Sequence, residues 1–272
     1  MSFFAKLAEV SQKNRSWLCV GLDPIIENIP ETIRGASSPI LEFNKALIDA
    51  TIDLVCAYKP NSAFYEQYGL PGLKALQETI AYIGGRVPVI LDVKRSDIGH
   101  TAQAYAKAAF NEFGADAVTV NPLLGYDSLE PFLDYKDKGI FVLGLTSNKG
   151  AEDFEKLMVV QGERRLPLYS VVIEKVKVWN KNNNLGLVAG ATNPGELAEI
   201  RKMALDMWFL IPGIGAQGGD LPAVLKASVP DRNNPRIIIN ASRNIIFASK
   251  GKDFAEAARN AAIELNSNIR RG

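Results

Sequence analysis

Residues Val87 to Thr101, VPVILDVKRSDIGHT, set three charged groups directly behind one of the most apolar runs in the chain, the place where a strand delivers chemistry. The run 87–91 reads as a buried parallel strand, and the period of two along a strand sends Asp92 and Lys94 to one side, Val93 and Arg95 to the other. Asp97 follows three residues after Lys94, where the chain should already be turning into a helix. An ammonium held between two carboxylates stays protonated, so Lys94 would act as an acid and not as an amine nucleophile. A structural salt bridge at a strand end has the same pattern, since ion-pair networks also form without function.

A second stretch with chemical potential is IPGIGAQGGDLPAVLKA (211–227), which sets four glycines between a strand and a helix, so that backbone N–H groups can close on an anion. Gln217 adds an uncharged donor at the loop tip, and Arg243, just after the last strand, suits a bidentate phosphate contact. Gly213, Gly215 and Gly218 also spell G-x-G-x-x-G, the dinucleotide fingerprint. The match is weak, because it falls late in the chain and the next strand ends in Asn240-Ala241-Ser242, without an acidic residue to hold a ribose diol. A purely structural glycine turn fits the segment as well.

To position these groups the chain must supply strand ends that face one way. After an amphipathic first helix, strands read at 17–22, 54–60, 87–91, 116–121, 139–147, 185–192, 207–213 and 236–240. Helices read at about 39–51, 71–83 and 168–180, after Thr101, after Pro194, after Asp220 and from about Lys252, while 122–127 reads as a loop and NKGAEDFEK as a polar stretch. Polar groups gather at the strand ends, Asp23 after the first and Lys59 at the end of the second. Strands alternating with helices in this way imply an α/β chain, a single-domain (β/α)8 TIM barrel over residues 1–272. An open doubly wound sheet would instead gather its ligands at one switch point.

With 47% hydrophobic and 22% charged residues among 272 and a formal charge of +1, the composition is that of an ordinary globular chain with no electrostatic footprint for nucleic acid. Cys19 and Cys56 lie in apolar runs without metal-type spacing, and His100 is the lone histidine, so reduced thiols and a cytoplasmic setting are expected, with no zinc site. The first residues, MSFFAKLAEVSQKNR, lack the apolar core of an export signal, and no later run approaches membrane-spanning length.

The motif D-x-K-x-x-D-I-G-x-T, with a strand before it and a helix after it, resembles the orotidine 5'-monophosphate decarboxylases, the longer-chain bacterial subfamily in particular, and the likeness runs from Gly21 to Ile246. The resemblance implies cofactor-free, metal-free decarboxylation of orotidine 5'-monophosphate to UMP, with Lys94 stabilising the charge that develops at C6 and then protonating it, and Asp92 orienting Lys94. It implies that Asp23 and Lys59 approach the ribose and complete a charged set with Asp92, Lys94 and Asp97. It places Ser147, in LTSNKGA, on the pyrimidine, and Gln217, Arg243 and the backbone of Gly218 and Gly219 on the phosphate. It further implies a homodimer in which Asp97 and Thr101 of one chain enter the site of the other; His100 stands where the family usually has asparagine.

Read singly, Ser147 also suits a helix cap, Asp23 an Asp-Pro turn, and Lys59 a surface lysine lying along the fold. The same barrel and D-x-K-x-x-D element would also serve a Mg²⁺-dependent sugar-phosphate decarboxylase or synthase, or a catalytically silent phosphate-binding barrel.

Overall fold

Apolar runs rich in β-branched residues become parallel strands in the computed structural model, which describes residues 1–214, 220–229, 231 and 234–271. The strands are β1 (Leu18–Leu22), β2 (Ala57–Pro60), β3 (Ile90–Arg95), β4 (Ala117–Val120), β5 (Gly139–Leu145), β6 (Met158–Gln161), β7 (Arg164–Pro167), β8 (Leu185–Ala189), β9 (Phe209–Ile211) and β10 (Ile237–Ala241). Among the described residues, eight of them form one sheet in the order β2-β1-β10-β9-β8-β5-β4-β3. Parallel bridges Tyr58–Val89 and Asn61–Asp92 join its two ends, so the sheet closes into the barrel that the sequence implies.

The period of two explains what fills it. Outward residues such as Val20, Tyr58, Leu91, Val118 and Val142 pack under the surrounding helices. Inward residues Cys19, Ala57, Ile90, Ala117, Phe141, Val188, Leu210 and Ile238 form a separate inner cluster. The first helix, Phe3–Asn14, closes the end where the strands begin: Phe3 and Leu7 join the inner cluster, and the Phe3 ring meets Phe141 edge-on at 5.9 Å. Gly139 opens β5 because a Cβ there would stand 2.2 Å from the Phe3 ring.

Two residues beyond the inner cluster on their strands come Lys59, Asp92, Thr119, Leu143 and Asn240, of which all but Leu143 are buried. The alternation that builds the apolar layer therefore stacks a polar layer on it, toward the strand C-termini.

Several described elements depart from the sequence reading, beginning with β3, which runs on through Asp92 and Lys94 to Arg95 where the reading ends the strand at Leu91. A helix, Tyr126–Leu133, begins inside the segment read as a loop, with Pro131 within it. An antiparallel hairpin, β6 with β7, turns at Gly162 between the polar stretch and the helix Leu168–Trp179. Cys19 and Cys56 are free and buried, and burial pushes the Cys19 thiol up to about 12, so it stays a protonated core group. Among the described residues, no helix is long and apolar enough to cross a membrane.

Candidate active site

Lys59 is the penultimate residue of β2 and Asp92 lies on β3, strands that meet at the bridge from Asn61 to Asp92. That neighbourhood brings the Lys59 ammonium 2.9 Å from Asp92 Oδ2, with the two residues only 5% and 7% exposed. Lys94 donates to the other oxygen, Asp92 Oδ1, at 2.6 Å, with its side chain 49% exposed. One carboxylate thus lies between two ammonium groups. The sequence suggested the reverse, Lys94 between Asp92 and Asp97.

Asp97 does not join the set within its own chain. Its Oδ1 accepts from the Ile98 amide at 2.8 Å, and among the described residues it forms no ion pair. Thr101 is exposed on the helix Gly99–Lys107, and His100 beside it lies with Nδ1 3.1 Å from Gln103 Oε1.

The charge states follow from contact. Burial alone pushes the Asp92 carboxyl up, but Lys59 and then Lys94 outweigh it and hold it well below the usual carboxylate range. For Lys59 burial favours the neutral amine, and Asp92 and then Asp23 reverse this and raise it above an ordinary lysine. Lys59 is therefore a fixed buried cation, unlike the surface lysine that its position also allowed. Asp23, after β1, has an Oδ1 that is buried and finds no hydrogen-bond partner among the described residues, an acceptor suited to a ligand hydroxyl.

Ser147 sits in the turn after β5, and that turn is pinned from two sides. Thr146 donates its amide to Glu155 Oε2 at 2.7 Å and its hydroxyl to Glu155 Oε1 at 2.8 Å. On the other side Gly190 lies so close that a Cβ would stand 2.8 Å from the Ser147 nitrogen. Glu155 belongs to the stretch that the sequence offered only as polar.

These elements enclose a cavity of about 280 Å³ at the strand C-termini, lined by Lys59, Asp92, Lys94, Thr119, Thr146, Ser147 and Asn148, with Leu143, Val188, Leu210 and Pro212 as its apolar wall. Its lining combines an apolar wall with the half-exposed Lys94 side chain and with hydroxyl and amide groups, a mixture suited to a small polar ligand with an apolar face. A hollow of about 310 Å³ between Arg15, Trp17, Trp208 and Arg270, lined by the first helix and the residues just before β1, has no carboxylate among its described lining residues and no charge pair of this kind.

Thr119 is the residue that the sequence reading missed. Its hydroxyl donates to Asp92 Oδ1 at 2.8 Å and accepts the amides of Val93 and Lys94. The available signal was a polar residue at an inward position of the run AVTV. Arg243 lies where expected, exposed at the first turn after β10. Gln217, Gly218 and Gly219, expected on the phosphate, lie outside the described residues.

A family model described as "Orotidine 5'-phosphate decarboxylase / HUMPS family" matches residues 16–259. The chain is 50% identical over 261 residues to the orotidine 5'-phosphate decarboxylase of Herpetosiphon aurantiacus, across 96% of this chain and 95% of that one. It is 47% identical over 270 residues to the protein of the same name from Roseiflexus castenholzii, across 99% and 97%. Among solved structures, Leishmania donovani OMP decarboxylase superposes with a TM-score of 0.85 at 42% identity, covering 100% of this chain and 98% of that one.

Proposed function

This chain belongs to the orotidine 5'-phosphate decarboxylase / HUMPS family, and we propose that it is a carboxy-lyase that converts orotidine 5'-monophosphate to UMP in pyrimidine biosynthesis. The observation that carries this reading is the buried Asp92 carboxylate gripped on both oxygens by lysines, one of them, Lys94, half exposed to the cavity. When the bond from C6 to the carboxylate breaks, the electron pair stays on C6 and CO₂ leaves. The Lys94 ammonium faces that charge and then gives C6 a proton, and water reprotonates the amine. Asp92, kept ionised by its two partners, aims Lys94.

Around that centre, Ser147 meets the pyrimidine, Asp23 and Lys59 approach the ribose, and Arg243 grips the phosphate with Gln217 and the backbone of Gly218 and Gly219. Thr101 and Asp97 serve the neighbouring site of a homodimer. Supporting that assignment, Asp97 forms no ion pair among the described residues, and the segments after β3 and β4 expose Ile98, Leu123 and Leu124. The protein acts in the cytoplasm on a small-molecule substrate, in keeping with two free buried thiols.

The test is the absorbance loss of orotidine 5'-monophosphate in the presence of EDTA. Turnover with the metal chelated is the expected result. Turnover confined to sugar phosphates with added Mg²⁺ would replace this reading with that of an aldol-type or sugar-phosphate enzyme, and binding of UMP without turnover would leave a silent barrel.

Arg243→Ala should weaken phosphorylated ligands by about 1.5–3 kcal/mol, the scale of a charge-assisted hydrogen bond, and leave uridine binding unchanged. Calorimetric titration with UMP and with uridine measures both, and equal losses would take Arg243 off the phosphate.

A further inference from the structure

The pairing of β3 with β4 slips at the site. Leu91 pairs with Val118 and Arg95 with Val120, so β3 uses four steps where β4 uses two. Within the surplus, Lys94 has φ 46°, the left-handed region that a side chain with a Cβ rarely adopts. A bulge of this kind leaves amides unpaired by the ladder, and buried amides need acceptors.

Thr119 supplies them. Its Oγ1 accepts the Val93 amide at 3.1 Å and the Lys94 amide at 3.0 Å. With both lone pairs used, its own proton goes to Asp92 Oδ1 at 2.8 Å, the same oxygen to which the Lys94 ammonium donates. The hydroxyl therefore bonds the backbone that carries Lys94 and the carboxylate that the Lys94 ammonium grips. Thr119 is 1% exposed, and its branched Cβ restricts the rotamer that aims the oxygen.

We infer that Thr119 is a positioning residue that holds Lys94 in its left-handed turn and so places the proton donor; this rests on the decarboxylase reading for its kinetic consequence, though not for its geometry. Thr119→Val keeps the shape and removes the oxygen, stranding two amides and one carboxylate contact. The Lys94 backbone should then leave the left-handed region and its tip should shift, and a shift of about 1 Å in a reacting group lowers turnover by about a hundredfold.

The expected result for Thr119→Val is a kcat lowered about 30- to 300-fold with UMP affinity within about threefold of wild type, since valine keeps the cavity's shape and the proposed polar contacts to ring and phosphate belong to Ser147 and Arg243. Thr119→Ser restores the hydroxyl and should recover kcat to within about fivefold. A merely structural threonine would act through the folded fraction, so its loss would scale with unfolding and move UMP binding in parallel. A Thr119→Val enzyme with kcat within about threefold of wild type overturns the inference, as does a Ser variant no better than Val.

A crystal structure of Thr119→Val gives a readout independent of the reaction. The placing role fails if Lys94 keeps its φ and its contact with Asp92 there, and it stands if both change, even if the wild-type protein proved not to decarboxylate the nucleotide. Where the Val variant does not fold, Thr119→Cys, with a weak acceptor of similar size, takes its place in both measurements: an intermediate kcat with a displaced Lys94 is expected, and wild-type kcat and geometry overturn the proposal.

Discussion

Replacing Lys94 by alanine should lower kcat by about four orders of magnitude or more, because one change removes both the fixed positive charge and the proton donor. Neither of the other two donors to Asp92 can substitute. Lys59 is 5% exposed and already bound to Asp92 Oδ2, and Thr119 spends its only proton on Oδ1. The same contacts should preserve the site: in the variant Asp92 keeps Lys59 and Thr119 as donors, and the amide at position 94 keeps its bond to the Thr119 oxygen. Alanine brings no new backbone strain, since it too carries a Cβ in the left-handed turn. Affinity for UMP, which has no carboxylate at C6, should therefore stay within about tenfold of wild type, because the lost interaction belongs to the transition state. Single-turnover kinetics beside a UMP titration separate the two quantities, and a variant with near-normal kcat removes Lys94 from the mechanism.

Why so much of this site could be read from the sequence, and why part could not, comes down to which contacts are local. Asp92 and Lys94 are two residues apart on one strand, so the period of two was enough to place them together. The inner apolar cluster follows the same period, which is why the barrel was legible from its strand runs. The partner of Asp92 is a matter of register between β2 and β3, and nothing near Lys59 in the chain encodes that Asn61 will face Asp92. For the same reason the carboxylate between two lysines was read as a lysine between two carboxylates.

The turn at Lys94 was hidden for a different reason. Left-handed backbone is usually signalled by glycine or asparagine, and here hydrogen bonds from another strand impose it on a lysine. Thr119 itself lies in a strand whose other residues are apolar, where a threonine also serves as an ordinary β-former. The hairpin β6–β7 is hard to read from sequence because its strands are four residues each and none of their residues is buried, which leaves little hydrophobic pattern to read. Pro131 disfavours a helix at Tyr126–Leu133, yet Leu129, Phe132 and Leu133 are buried there, and packing outweighs the missing amide.

Two inactive variants should restore activity when mixed, if Asp97 works in the site of the neighbouring chain. Among the described residues Asp97 forms no ion pair, while Lys94 is bound to its own Asp92, and the proposed homodimer has the two residues serve different sites. Asp97→Ala alone and Lys94→Ala alone should each abolish turnover. In a dimer of one chain of each kind, one site lacks both residues, and the other combines Lys94 from the Asp97→Ala chain with Asp97 from the Lys94→Ala chain. That second site is whole. Equal amounts mixed at random put about half the dimers in the mixed state, each with one working site of two, so about a quarter of wild-type activity should return. Refolding the variants together, with an affinity tag on one to isolate mixed dimers, and assaying decarboxylation measures it directly. Mixed dimers that stay inactive would assign Asp97 to its own chain, and activity in Asp97→Ala alone would remove it from the charged set.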